Sequence, residues 1–162
     1  PMLAAGGVPL SAQDARLLRL EGRRSHYYSL GLVYDQGPVL VKAMLNRIDQ
    51  GTLALEDSSA AYLLAGYRVG PWTPYLGVSR VYSRRAGQGQ GPVVAAVRAE
   101  SHSNQKTVFL GVRWDFSRDL ALKAQWDRVR GRPSSVFPYR MEIPGRWDGK
   151  VDVFSLSLDF VF

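Results

Sequence analysis

Val153-Phe-Ser-Leu-Ser-Leu-Asp-Phe-Val-Phe162 decides the fold class. Phe154, Leu156, Leu158, Phe160 and Phe162 occupy every second position, with Ser155, Ser157 and Asp159 between them. Successive side chains of a strand point to opposite faces, so this spacing sorts into one apolar and one polar face. A helix would scatter the same residues around its surface. Upstream the sorting recurs. Tyr28, Leu30, Leu32 and Tyr34 oppose Ser29 and Gly31 in Tyr27–Asp35. Val39, Val41, Ala43 and Leu45 oppose Lys42, Met44 and Asn46 in Val39–Arg47. Ala61, Leu63, Ala65 and Tyr67 oppose Gly66 and Arg68 in Ala60–Val69, and Leu76 and Val78 oppose Tyr75, Gly77 and Ser79 in Thr73–Tyr82. Val108, Leu110, Val112, Trp114 and Phe116 oppose Thr107, Gly111, Arg113 and Asp115 in Lys106–Phe116. Leu122, Ala124 and Trp126 oppose Lys123, Gln125 and Asp127 in Leu120–Val129. With Asp152–Phe162 these predict an all-β chain of seven strands, each of about 9–11 residues, the length that crosses a bilayer at a tilt.

The connections alternate in length. Asp35-Gln36-Gly37-Pro38, Gly70-Pro71 and Ser117-Arg118-Asp119 are short and hold turn residues. Gly permits positive φ and Pro presets φ, so each reads as a hairpin turn. Ile48–Ser59, Ser83–Gln105 and Arg130–Val151 are longer. Short turns at one end and long loops at the other is the arrangement of transmembrane barrels. With Phe162 at the periplasmic end, counting back places every short turn on that side and every long loop outside. The three hairpins also repeat weakly, each with a glycine, an aromatic near the turn and then turn residues. A β-propeller blade has a similar period but uses short strands and short loops throughout.

Composition narrows the class. The 162 residues leave room for one domain. Lys and Arg total 21 against 14 Asp and Glu, a formal charge of +7, and there is no cysteine, so disulfide frameworks and thiolate metal sites are excluded. No apolar run approaches the ~18 residues of a transmembrane helix. The Pro1-Met-Leu start shows no signal-peptide pattern and reads as a trimmed or processed terminus. Residues 1–24 alternate poorly. Ser11-Ala-Gln-Asp14 before Leu17, Leu18 and Leu20 reads as a capped short helix or structured loop on the extracellular side, followed by the membrane strands over 25–162.

Alternation alone does not say whether the apolar face meets lipid or a protein core, since a soluble ligand-binding barrel alternates too. The polar face is rich in Gly, Ser and Thr with isolated charges, whereas a soluble surface carries more Lys and Glu. Tyr34, Tyr67, Trp72, Trp114, Phe116, Phe160 and Phe162 gather towards the short-turn side, and Tyr28 and Tyr82 towards the other, as amphipathic rings do at headgroup level. Both features favour lipid.

The final strand resembles the terminal strand of Gram-negative outer-membrane proteins, which end in Phe after apolar or aromatic residues at alternate positions. Phe109-Leu-Gly-Val-Arg-Trp-Asp-Phe-Ser-Arg-Asp-Leu-Ala-Leu-Lys-Ala-Gln-Trp-Asp-Arg128, with Gly149-Lys-Val-Asp-Val-Phe154, resembles the penultimate hairpin of porin-like proteins. The resemblance covers the last third of the chain; upstream hairpins match in pattern only. It implies a bacterial outer-membrane location. It also implies that Phe154, Leu156, Leu158, Phe160 and Phe162 form a membrane-insertion signal read by the outer-membrane assembly machinery. Single-chain bacterial barrels have even strand numbers, and seven is odd. The expectation is therefore the C-terminal part of a larger barrel, about 16-stranded in the porins it resembles, with the main selectivity loop in the other half.

The expected function is a porin-like channel segment for passive diffusion of small hydrophilic solutes and ions. Lys42, Arg68, Arg113, Asp115, Lys123, Asp127 and Asp159 would line the pore, where charged side chains tune ion selectivity. Arg16, Arg19, Arg23, Arg24, Arg84, Arg85, Arg98, Arg130, Arg132, Arg140 and Arg146 would meet lipopolysaccharide phosphates or draw anionic solutes to the mouth, an anion-leaning bias. The alternatives are a structural or adhesive outer-membrane barrel without an open pore, and a soluble ligand-binding β-barrel. The class admits a homo-oligomer.

Catalytic signals are weak, and the expectation is no enzyme and no cofactor. His26 and His102 neighbour Ser25, Ser101 and Ser103, but sequence neighbours on a strand face opposite ways and make no nucleophile–base pair. Gly87-Gln-Gly-Gln-Gly91 lacks the strand-to-helix setting of a phosphate loop and reads as a flexible loop tip. No acidic cluster at ligand spacing joins the histidines, so no metal is expected. The aromatics lie apart from the basic residues, so no nucleic acid partner is expected.

Overall fold

The computed structural model describes residues 11–84, 91–99, 102–131 and 149–161. A short helix, α1 (Ala12–Leu17), precedes four strands: β1 (Ser25–Gln36), β2 (Val39–Gln50), β3 (Asp57–Tyr67) and β4 (Trp72–Arg84). A second helix, α2 (Pro92–Ala99), leads to β5 (Asn104–Asp115), β6 (Leu120–Gly131) and β7 (Lys150–Phe160). The seven strands form one antiparallel sheet in chain order, β1-β2-β3-β4-β5-β6-β7. Among the described residues β1 and β7 do not pair with each other, so the sheet is open and not closed into a barrel.

Each strand runs two or three residues farther into the long connections than its sequence-based bounds, because the ladders continue there, while β3, β5 and β7 stop one or two residues earlier at the other end. Ser25 pairs Gln50 beyond the alternating part of β1 and β2, for example, and Asp57 pairs Arg84. Twelve residues, the length of β1, span about 40 Å at ~3.3 Å per residue. At a tilt of about 45° that covers the hydrocarbon core of a bilayer.

The turns set the register. Gln36 pairs Val39 across the two residues Gly37-Pro38, and Val69 bridges Trp72 across Gly70-Pro71. Both glycines have φ +57°, a conformation that opens a two-residue hairpin matching the twist of its strands and that a side chain disfavours. Val69 N–H donates to Trp72 O at 2.7 Å and Trp72 N–H to Val69 O at 3.1 Å, closing the second turn. In the third, Ser117 N–H donates to Leu120 O at 3.3 Å and Ser117 Oγ accepts from Asp119 N–H at 3.3 Å.

With the register set this way, the alternating patterns of all seven strands come into phase. Tyr34, Val41, Ala65, Leu76, Leu110, Trp126 and Phe154 form one row across the whole sheet. On the opposite face runs the row Val33, Lys42, Leu64, Gly77, Phe109, Asp127 and Val153. A one-residue slip in any strand would move its apolar set to the wrong face.

Burial is inverted relative to a water-soluble sheet. The apolar face is the exposed one: Leu30 is 69% exposed, Phe154 79% and Leu156 72%. On the other face Tyr75 is 7% exposed, Phe109 5% and Ala121 2%. No described element packs over this second face, since the strands contact only their sheet neighbours and the helices contact each other. Tyr75 on β4 reaches Gln125 on β6, and Arg113 on β5 reaches Asp159 on β7. Long side chains meeting over an intervening strand bury the face, so the sheet curls with its mixed polar face inward.

That face is less polar than its glycines suggest. Tyr75 lies opposite Gly111, and Phe109 opposite Gly77. A Cβ on Gly111 would collide with the far edge of the Tyr75 ring and its hydroxyl, and one on Gly77 with the far edge of the Phe109 ring and with Leu63 O. Each ring therefore reaches over its partner strand into space that the missing Cβ leaves open. Alternation alone leaves Gly77 and Gly111 as bare positions on the polar face. They are covered, while Gly31 does have open space above it. Alternation assigns a face but does not show which neighbour lies across.

The helices sit at the long-loop end. Ser11 caps α1, its Oγ accepting from Asp14 N–H at 3.0 Å, as Ser11-Ala-Gln-Asp14 predicts. The helix α2 lies in a stretch read as loop; its Val94 is fully buried and Val93 nearly so. Residues 1–10 and the glycine run from Gly87 through Gln90 lie outside the described residues, as do Phe162 and Ser101.

Replacing Gly111 by Ala is expected to destabilise the folded protein by about 1–3 kcal/mol through overpacking against Tyr75, and Gly31→Ala by far less. Unfolding of each variant in urea checks both; equal costs would show that the ring sockets do not hold the sheet.

Candidate functional site

The inward face divides into three levels along the strands. Its charges gather at the short-turn end. Arg68, just past β3, pairs with Asp35 at 2.6 Å and donates to Gly37 O at 3.0 Å. It thus ties the second hairpin turn to the first. Arg113 sits between two carboxylates, at 2.9 Å from Asp115 and 2.5 Å from Asp159. Asp115 lies two residues along β5, while Asp159 lies two strands away on β7. These side chains are 39–47% exposed, so each pair contributes only about 0–1 kcal/mol after solvent screening. Their effect on the wall is electrostatic: they remove Arg68 and Arg113 as free cations. Lys42 and Lys123 point to the same face with no acidic partner among the described residues.

The middle level is aromatic. Tyr62 stacks on Phe109, with centroids 5.6 Å apart and planes 11° apart, and Tyr75 is tilted against Phe109 at 6.5 Å. Tyr75 Oη donates to Gln125 Oε1 at 2.9 Å, and Gln125 Nε2 donates to Asp127 at 2.9 and 3.0 Å. This chain orients the Gln125 amide and aims it at the Asp127 carboxylate. Beside it opens a cleft of about 320 Å³ lined by Tyr62, Ser79, Thr107, Phe109, Gln125 and Asp127.

The long-loop end holds neutral hydrogen bonds and a contact between His102 and Glu56. Asn46 Oδ1 accepts from Tyr27 Oη at 2.7 Å and Ser29 Oγ at 2.8 Å. His102 Nδ1 lies 2.6 Å from Glu56 Oε2, with side chains 16% and 6% exposed. No periodicity signalled this pair, because the loop after β2 and the segment before β5 meet only in three dimensions. Ser25 Oγ donates to Gln50 Oε1 at 2.6 Å rather than to its neighbour His26, whose ring stacks on Tyr28 at 6.4 Å on the other face.

Of the seven charges expected on this face, the structure brings Arg113, Asp115 and Asp159 together. It places Arg68 against Asp35, which the sequence reading had left out. It sets Asp127 by Gln125 and leaves Lys42 and Lys123 apart. Tyr62 and Phe109 were also missed. Their parity places them inward, but apolar residues out of phase drop out of a pattern sought as alternation.

The outward face carries the expected aromatic girdle at its short-turn end. Trp72 and Trp114 stack at 5.0 Å with planes 4° apart, and Trp114 packs against Phe116 at 5.2 Å. Phe154, Leu156, Leu158 and Phe160 of β7 are all well exposed on this face. No helix among the described residues is long and apolar enough to cross a membrane. No protein-family model, curated protein or solved structure matches the chain.

An Arg113→Gln variant is expected to lose less than about 1 kcal/mol in urea unfolding, since both its ion pairs are open to solvent. A larger loss would mean that the clamp to β7 holds the sheet's curl.

Proposed function

We propose that this chain is part of the wall of a bacterial outer-membrane β-barrel, and that the barrel is a porin-like channel for passive diffusion of small hydrophilic solutes and ions. The observation that carries this reading is the inverted burial: a face of Leu, Val, Trp and Phe is exposed across seven strands while the mixed polar face curls inward. Contiguous apolar patches on soluble monomers seldom exceed about 300–600 Å². A continuous face of this extent is stable only against lipid or another apolar surface. A soluble ligand-binding barrel would turn that face inward.

The two unpaired edges support a larger barrel. In hydrocarbon each unsatisfied backbone group costs several kcal/mol, and closed barrels avoid this by having no edges. Single-chain bacterial barrels carry even strand numbers, and the porins this chain resembles have about sixteen, so β1 and β7 would pair with further strands. Phe154, Leu156, Leu158 and Phe160, with Phe162, would serve recognition by the assembly machinery as well as lipid contact.

The inward charges Lys42, Arg68, Arg113 and Lys123 are matched by Asp35, Asp115, Asp127 and Asp159. A wall so balanced gives weak ion selectivity, and any anion preference comes from the arginines at the long-loop end, among them Arg16, Arg23, Arg24 and Arg84. Those arginines also suit lipopolysaccharide phosphates.

Planar-bilayer recording of the protein, with a KCl gradient, tests the reading. Discrete open steps with a small reversal potential towards anions are expected. Well-folded, inserted protein without conductance would sink the pore and leave a structural or adhesive barrel. A chain that stays monodisperse without detergent would remove the membrane assignment altogether.

Leu156→Arg on the outward face is expected to cost roughly 2–4 kcal/mol near the bilayer midplane, and Ser157→Arg on the inward face much less. Folding titrations into lipid vesicles measure both, and the reverse order would invert the faces.

A further inference from the structure

The cleft on the inward face is chemically distinct from the rest of the wall. Tyr62, Ser79 and Thr107 lie side by side in one cross-strand row on β3, β4 and β5. Asp127 is the diagonal neighbour of Thr107, since Thr107 pairs Val129 two residues along β6. Val129 and Val153 close the cleft towards β7. Among the described residues the hydroxyls of Tyr62, Ser79 and Thr107 have no hydrogen-bond partner. Among the described residues the Asp127 carboxylate receives only the Gln125 amide and pairs with no basic group. The nearest inward cation on its own strand, Lys123, is four residues along β6, about 13 Å at the strand rise, beyond a Debye length in physiological salt.

We propose that this cleft binds a small primary ammonium ion bearing a short apolar chain. An ammonium group has three N–H donors and no acceptor. The cleft offers the complement: a carboxylate with spare lone pairs flanked by hydroxyl oxygens that accept. Gln125, held from behind by Tyr75, spends its N–H on Asp127 and keeps that carboxylate in place. The edges of Tyr62 and Phe109 and the side chains of Val129 and Val153 receive the alkyl portion. A stacked sugar fits less well, because it needs an open ring face. Phe109 has none: it is 5% exposed, with Gly77 beneath it and Tyr62 stacked on it. An anion would face Asp127 with no cation among the described residues to offset the repulsion.

Isothermal titration of the full chain, folded in micelles of a non-ionic polyoxyethylene detergent, tests the site with n-butylammonium as probe. Butanol and butyrate are the neutral and anionic controls. The measurement needs no open pore, so the site can fail while the channel stands, and the converse. Saturable binding of butylammonium alone is expected. It should weaken about tenfold or more in Asp127→Asn, which deletes the charge-assisted acceptor, and about threefold in Thr107→Val, which deletes a neutral one. Asp159→Asn, outside the cleft, should leave it unchanged. Thr107→Val keeps a β-branched side chain and provides a reading if Asp127→Asn does not fold. Absent binding, equal binding of butanol, or binding indifferent to both cleft variants would overturn the proposal.

Discussion

The backbone ladder and its register are the constraint on which the rest depends. Gly37-Pro38 and Gly70-Pro71 each close a two-residue turn, so the pairing of β1 with β2, and of β3 with β4, is set to the residue. Side chains alternate with a period of two, and this pinning decides which face every residue joins. Alternating patterns that are separate along the chain then merge into one apolar surface running from Tyr34 on β1 to Phe154 on β7. The same ladder leaves no central strand with free backbone groups, which is the condition for a strand to lie in hydrocarbon. Among the described residues only β1 and β7 keep open edges, and in the proposed barrel these are the edges that further strands would pair.

The inward face shows how a wall with small side chains is made rigid. Tyr75 and Phe109 lie over Gly111 and Gly77 in reciprocal pairs across β4 and β5, each ring covering the backbone its partner's glycine exposes. Such aromatic–glycine pairs protect strand backbone that would otherwise be weakened. The charges act at a different level. By pairing at the short-turn end, Arg68 and Arg113 lose most of their reach, and Asp127, higher on the wall, stands without a countercharge. Electrostatic character thus changes along the strands, from a neutralised end to a cleft with one carboxylate.

Much of this was legible before any coordinates. The strands and their order of long and short connections followed from Tyr28 to Tyr34, from Val108 to Trp114 and from Phe154 to Phe160, because a period of two survives in a linear string. The cap on α1 was legible because Ser11 and Asp14 are close in sequence. The site was less so. That Arg68, Arg113 and Asp127 share one face followed from parity, but their partners did not: Asp35 for Arg68, Asp159 on β7 for Arg113, and Tyr75 through Gln125 for Asp127. The helix α2 and the contact of His102 with Glu56 left no periodic trace.

By itself the sequence determined the alternation, the turn positions and the two-faced character of each strand, since these depend on neighbours within a few residues. The tertiary structure alone decided which apolar rows joined into one face, which glycines were sockets and which charges were neutralised. Those outcomes depend on side chains from separate strands lying opposite one another. That proximity arises only when the ladder is in register and the sheet has curled.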